Sequence, residues 1–224
     1  MWQTVGDFLP LAVALTIIPI PIIAVILMLF TDRARQNSLA FLMGWVVGVA
    51  AAMGILIAIA STQELSSGEQ PSSTASWIKT ALGVVLIVAA VLQWRKRPEP
   101  GVPAAMPGWM QKVDSMRPAG AFGLGIVLSA LNPKNLVLIA GAAADVAQAD
   151  LSTGDRVLAV AIFTAIGSLS IAIPTLGYLF VGARLQPSLD RSRGWLTLHN
   201  AAVMTVVLLM IGVVLLGRGL GSLL

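Results

Sequence analysis

The chain has 224 residues, of which 57% are apolar and only 11% charged, with a formal net charge of +4, one histidine and no cysteine. A soluble domain carries about a quarter charged residues, so a water-soluble globule and a disordered chain are both excluded. The pI of 10.1 beside a mean hydropathy of +0.89 is too weak a field for nucleic-acid binding. Without cysteine there are no disulfides, thiol redox chemistry or thiolate metal sites, and one histidine cannot build a histidine cage. What remains is a small integral membrane protein, with no cofactor expected.

A spanning helix needs about 20 mostly apolar residues, and six segments meet or approach that length. Segments 8–30 and 39–60 carry no charge. Segment 77–94 is the shortest and has Lys79 near its start, able to snorkel to the interface along its apolar stem, with Trp77 and Trp94 as interfacial anchors. Segment 119–144 carries the single charge Lys134, and segments 157–183 and 194–217 carry none, His199 apart. The N-terminal run lacks the basic start and short apolar core of a cleavable leader, so it is expected to be the first span. Residues 61–76, rich in Ser, Gln and Glu, are expected to form a solvated loop.

Arg33 and Arg35, then Arg95, Lys96, Arg97, Lys112 and Arg117, then Arg184, Arg191 and Arg193 follow the odd-numbered spans. The other side holds only Lys79, Arg156 and Arg218. The positive-inside rule therefore predicts a plasma-membrane protein with both termini outside. The longest linker, 98–118, contains Pro98, Pro100, Pro103 and Pro107, which no helix continues through. Its tail, 109–116, reads either as a short surface helix or as an irregular loop. The linker divides the chain into a three-helix unit, 1–97, and a second, 119–224. Because three is odd, the second triplet enters from the opposite face, which predicts an all-α fold of two inverted three-helix repeats. Pro21 and Pro133 lie half a chain apart, and Gly83-Val-Val-Leu-Ile matches Gly212-Val-Val-Leu-Leu.

Proline-interrupted spans at corresponding positions of inverted halves point to a transporter binding site. In Ile18-Pro19-Ile20-Pro21 each proline removes a donor and clashes with the turn before it. The freed carbonyls must face protein or a water-filled cavity. Asn132-Pro133-Lys134-Asn135 is the stronger signal. Lys134 stands 15 residues beyond Ala119, about 22 Å along a helix, with no acidic residue at similar depth. A lysine there costs at least about 2.5 kcal/mol unless compensated. Two readings stay open: a structural lysine capping carbonyls freed at Pro133, or a cation that receives an anionic ligand with Asn132 and Asn135 bonding beside it. His199, next to Asn200, is either an interfacial hydrogen-bonding residue or a proton relay. Gly44 and Gly48, with Ala50 to Ala52, form a small-residue face for close helix packing within the chain or at a homodimer contact. No Gly-x-Ser-x-Gly elbow or paired intramembrane aspartates support an enzyme, and no phosphate-cradling Gly-rich loop is present.

The runs Pro19 to Leu29, Phe41-Leu42-Met43-Gly44-Trp45 and Leu131-Asn132-Pro133-Lys134-Asn135-Leu136, with Trp195, His199 and Asn200 at the start of the last span, resemble the GAP family. These are the Sap-like, sulfolipid- or peptidoglycolipid-addressing proteins of mycobacteria and relatives, within the lysine-exporter superfamily. Amino-acid exporters of that superfamily carry Pro-Gly-Pro in the first span, and Ile20 stands at that glycine here. The resemblance implies export or surface delivery of a cell-envelope glycolipid, with membrane lipids and an anionic glycolipid as partners. An amino-acid or small-cation exporter, and a non-transporting scaffold for a larger lipid exporter, are the alternatives.

Overall fold

The computed structural model describes residues 1–67, 73–95, 113 and 115–221, and these are helical apart from short turns. Most of linker 98–118 and of its tail, Lys96, Arg97 and Lys112, and the side chains of Lys79 and Arg218 lie outside the described residues.

The first expected span is two helices, α1 (Trp2–Thr16) and α2 (Pro19–Leu29), meeting at 49°. Ile18 precedes a proline, which pushes it out of the helical region to φ −65°, ψ 117°. Pro19 then restarts the helix at its first position, where no intrahelical donor is needed. Pro21 still lies in that first turn, so it costs no hydrogen bond. The expectation that both prolines free carbonyls is therefore corrected: the ladder is interrupted once, at Ile17–Pro19.

α3 (Ala34–Ser67) and α4 (Ser73–Arg95) carry the second and third expected spans and extend into the expected loop 61–76 from both sides. The fourth is again broken, into α5 (Pro118–Ala130) and α6 (Pro133–Ala147), bent by 61°. Asn132 is extended before Pro133, as Ile18 is before Pro19. Pro133 therefore starts α6 as Pro19, rather than Pro21, starts α2. α7 (Thr153–Val181) starts at Ser152, whose hydroxyl accepts the Asp155 N–H. It ends at Gly182, whose φ of +66° favours glycine. A 3₁₀ turn, Gly182–Leu185, leads into α8 (Gln186–Gly221), which begins ahead of the expected 194–217. Three of these helices are long and apolar enough to cross a bilayer, and five spans result if each bent pair is one. The remaining expected span falls in α4, whose apolar part, Thr80–Arg95, is shorter.

Packing is reciprocal. α3 packs on the bent pair α5–α6, α7 packs on the bent pair α1–α2, and α4 and α8 pack on each other. Lipid tails are as apolar as leucine, so helices associate in a bilayer through close van der Waals fit and polar contacts. A Cβ on Gly83 would come within 2.8 Å of the Gly212 carbonyl and 2.6 Å of the Leu216 nitrogen. One on Gly212 would come within 3.0 Å of both the Gly83 carbonyl and the Ile87 nitrogen. Gly44 lies against the Phe122 carbonyl and Gly48 against Ser129, so the predicted small-residue face of α3 is used inside the chain. Phe8 meets Phe163 edge-on at 5.8 Å, and the buried Trp45 indole donates to the Gly167 carbonyl at 3.2 Å. Large apolar side chains such as Phe180, Ile173 and Val206 remain exposed around the outside, as a lipid-facing surface requires.

Gly83→Val and Gly212→Val are each expected to lose about 1–3 kcal/mol by overpacking backbone against backbone. Gly54→Ala, where a Cβ meets nothing within 4 Å, is expected to be neutral or stabilising by up to about 1 kcal/mol. Thermal unfolding in detergent, compared across the three variants, checks this.

Candidate functional site

The break between α5 and α6 is rebuilt by its own asparagines. Beyond Ala130, Leu131 keeps a near-helical backbone and its N–H reaches the Val127 carbonyl at 3.1 Å. The extended Asn132 cannot continue the ladder to the Leu128 carbonyl. Asn135 supplies the missing donor: its Nδ2 gives a 2.6 Å hydrogen bond to Leu128 O. Asn132 caps α6, its Oδ1 accepting the Lys134 N–H at 3.1 Å, while its own carbonyl accepts Leu136 N–H at 2.9 Å. Asn135 is completely buried, and its Oδ1 has no hydrogen-bond partner among the described residues.

Lys134 reaches away from these groups. Its half-buried side chain donates from Nζ to Oε1 of Gln93 at 3.4 Å, and no carboxylate pairs with it among the described residues. Gln93 belongs to the last turn of α4, just before Trp94 and Arg95. Sequence reasoning missed it, although a glutamine between Leu92 and Trp94 at the end of an apolar run was a visible signal. The 61° bend also means that the length counted along a straight helix from Ala119 is not the depth of Lys134. Next to the ammonium, Pro133 and Leu131 are exposed.

The first break is level with the second. Asp7 and Asp145 line one cavity of about 420 Å³, and Leu11 closes on Gly141. α1 and α6 are therefore antiparallel, in a register that carries Ile17–Ile18 to the level of Lys134–Asn135. Each of these helices has 15 residues, so both breaks lie about 22 Å from that shared end. α2 packs on α3, α7 and α8, whereas α6 packs chiefly on α1 and α3. Pro19 and Pro21 are thus buried in α2 at the same level but without extensive packing of α2 on α6. His199 is exposed on α8 and interacts with the turn before it. Its ring stacks on Trp195 at 4.8 Å, and its Nδ1 lies 2.9 Å from the Trp195 carbonyl. Ser129 is buried and donates to Ile126 O at 3.1 Å.

At the level of sequence, the family model described as "Sap, sulfolipid-1-addressing protein" matches residues 8–221. No curated protein and no solved structure matches the chain.

Asn135→Leu leaves the Leu128 carbonyl without a donor in a dry environment and is expected to cost about 1–3 kcal/mol. Asn132→Ala removes only the cap of α6, a loss of about 1 kcal/mol. The order of the two melting temperatures in detergent, Asn135→Leu below Asn132→Ala below wild type, is the measurement.

Proposed function

The chain belongs to the Sap, sulfolipid-1-addressing protein family, and from that premise we propose that it takes part in exporting a cell-envelope glycolipid across the plasma membrane. Its apolar helices give it a multi-pass membrane role. The finer architecture of the proposal is six spans in two inverted three-helix halves, with both termini outside. The reciprocity of packing supports the halves. A shift of 114 residues carries Phe8, Leu15 and Pro19 onto Phe122, Ser129 and Pro133. A shift of 119 carries Gly44 and Gly48 onto Phe163 and Gly167. The contacts follow the same exchange: Gly44 on Phe122 mirrors Phe163 on Phe8, and Gly48 on Ser129 mirrors Gly167 on Leu15. Gly83 and Gly212 exchange with each other, as residues beside a pseudo-two-fold axis must.

The observation that carries the functional reading is the Lys134 ammonium, held at a broken span with a neutral amide as its side-chain partner. An N⁺–H···O⁻ bond is shorter, near 2.8 Å, and about twice as strong as a neutral one. A sulfate, phosphate or carboxylate group therefore outcompetes Gln93 at 3.4 Å. A half-buried ammonium without a counter-ion carries a desolvation cost that a bound anion offsets. Asn132 and Asn135 hold the α6 N-terminus in position, and its dipole adds to the attraction. Pro19, Pro21 and Pro133 keep both spans broken at one level. His199, bonded within its own helix, retains a proton-relay role only as a secondary element of this proposal. Coupling to a proton gradient or to a partner protein is assigned in place of nucleotide hydrolysis.

The experiment compares Lys134→Met and Lys134→Arg in cells lacking the native copy, at matched membrane abundance, with surface glycolipid measured by mass spectrometry. Losing a charge-assisted bond of about 1.5–3 kcal/mol predicts a reduction of roughly tenfold or more for the methionine variant and substantial retention for the arginine variant. Full export by Lys134→Met would falsify the site. Export of lysine, arginine or threonine by the wild type, with glycolipid delivery unchanged on deletion, would move the function to a small-molecule exporter. Delivery that needs the protein's presence but no residue of this site would make it a scaffold.

A further inference from the structure

The two halves differ most at the second break. Under the 114-residue exchange, Asn132, Lys134 and Asn135 correspond to Ile18, Ile20 and Pro21. Pro19 is buried, yet its counterpart Pro133 is exposed, and Leu131, on the near side of the break, is 66% exposed against 39% for its counterpart Ile17. The neighbours explain the difference. α2 packs firmly on α8, whereas its counterpart α6 makes only slight contact with α4, the counterpart of α8. Among the described residues the seam between α2 and α8 is closed, and the seam between α6 and α4 is open. Lys134 reaches across that open seam to Gln93.

From this asymmetry we propose that the site opens sideways onto the bilayer through the α4–α6 seam, and that it admits an intact anionic amphiphile. The anionic headgroup meets Lys134 and the acyl chains stay in lipid beside Leu131. The proposal rests on the anion-accepting reading of Lys134 and adds the route and the form of the ligand. Three observations select this occupant. Lys134, which reaches across the seam, has no carboxylate partner among the described residues, which calls for an anion. The exposed side chains beside it, Leu131 and Pro133, are apolar, which calls for hydrocarbon rather than a soluble ion. Gln93 lies in the same last turn as Trp94 and Arg95, residue types that settle at the headgroup level, so a headgroup reaches Lys134 without crossing the hydrocarbon. A second copy placed on the seam by a two-fold axis would set Lys134 against Lys134, an unfavourable pairing at low dielectric.

Because the chain has no cysteine, Leu131→Cys provides one labelling point for a bimane fluorophore, and Val206→Cys, on the exposed face of α8, provides a control. Each labelled protein is reconstituted in phosphatidylcholine vesicles. These contain the same fraction of either chain-brominated phosphatidylglycerol or chain-brominated phosphatidylcholine. At position 131 the anionic lipid is expected to quench at least about twice as strongly as the zwitterionic one, and at position 206 the two are expected to be equal. Adding Lys134→Gln should bring the ratio at 131 to one, and Lys134→Arg should keep it. A ratio of one in the otherwise unmodified protein overturns the anionic-lipid site. Absence of quenching by either lipid at 131 overturns the lateral opening, because protein then covers the seam. The outcomes separate from those of the export experiment. Export lost in Lys134→Met with a ratio of one removes the lateral route and keeps the anion site. Normal export with a ratio of two keeps the seam lipid and removes the transport role.

Discussion

Hydrocarbon offers no water to an unpaired carbonyl, and this protein twice places a proline where a spanning helix would otherwise run on. Everything distinctive about the fold depends on how each resulting gap is closed. At the second break the closure is chemical: Asn135 bonds the Leu128 carbonyl that Asn132 can no longer reach, and Asn132 caps the helix that Pro133 restarts. At the first break the closure is steric and local. Pro19 and Pro21 occupy positions whose N–H groups would have had no acceptor, and the N–H of Ile17 and the hydroxyl of Thr16 bond the carbonyls of Ala14 and Val13. Both breaks need only short-range partners, which is why they can lie at the same level in an antiparallel α1–α6 pair without a polar core between them.

The second constraint is proximity. Helices that gain nothing from hiding apolar surface from lipid must approach until backbones touch. The chain meets this with Gly83 against Gly212, Gly44 against Phe122 and Gly125 against the backbone of Phe41 and Trp45. These contacts leave no slack at the crossings of α4 with α8 and α3 with α5, so the rigid part of the molecule is the glycine-locked frame. Lys134 stands at the edge of that frame, where α6 and α4 make only slight contact.

The two breaks differ in chemistry. One carries Ile-Pro-Ile-Pro and the other Asn-Pro-Lys-Asn. Together they give two half-helix termini at one level. Only one has a cation and amides, and the helices around that one leave it accessible. Gln93 accepts a hydrogen bond from Lys134 without neutralising the ammonium, the feature on which the proposed anion site rests. An aspartate at position 93 would instead have fixed a permanent ion pair.

The sequence by itself determined the membrane class, the apolar segments and the break at Pro133, because hydropathy and proline are local properties written in residue type. It also carried the family, through motifs that stand within a few residues of one another. What it misjudged was equally local in origin: Pro21 looks like a second interruption until the helix is seen to restart at Pro19, where two prolines fit one unpaired first turn. Only the tertiary structure decided that Asn135 serves the backbone, that Gln93 is the partner of Lys134, that Gly48 packs inside the chain, and that α4 leaves α6 uncovered. The Asn135 bond spans only seven residues but depends on the bend between α5 and α6. The other three depend on which helices face one another across tens of residues, and in a chain this rich in Val, Leu and Ala nearly every face is apolar enough to pack against any other.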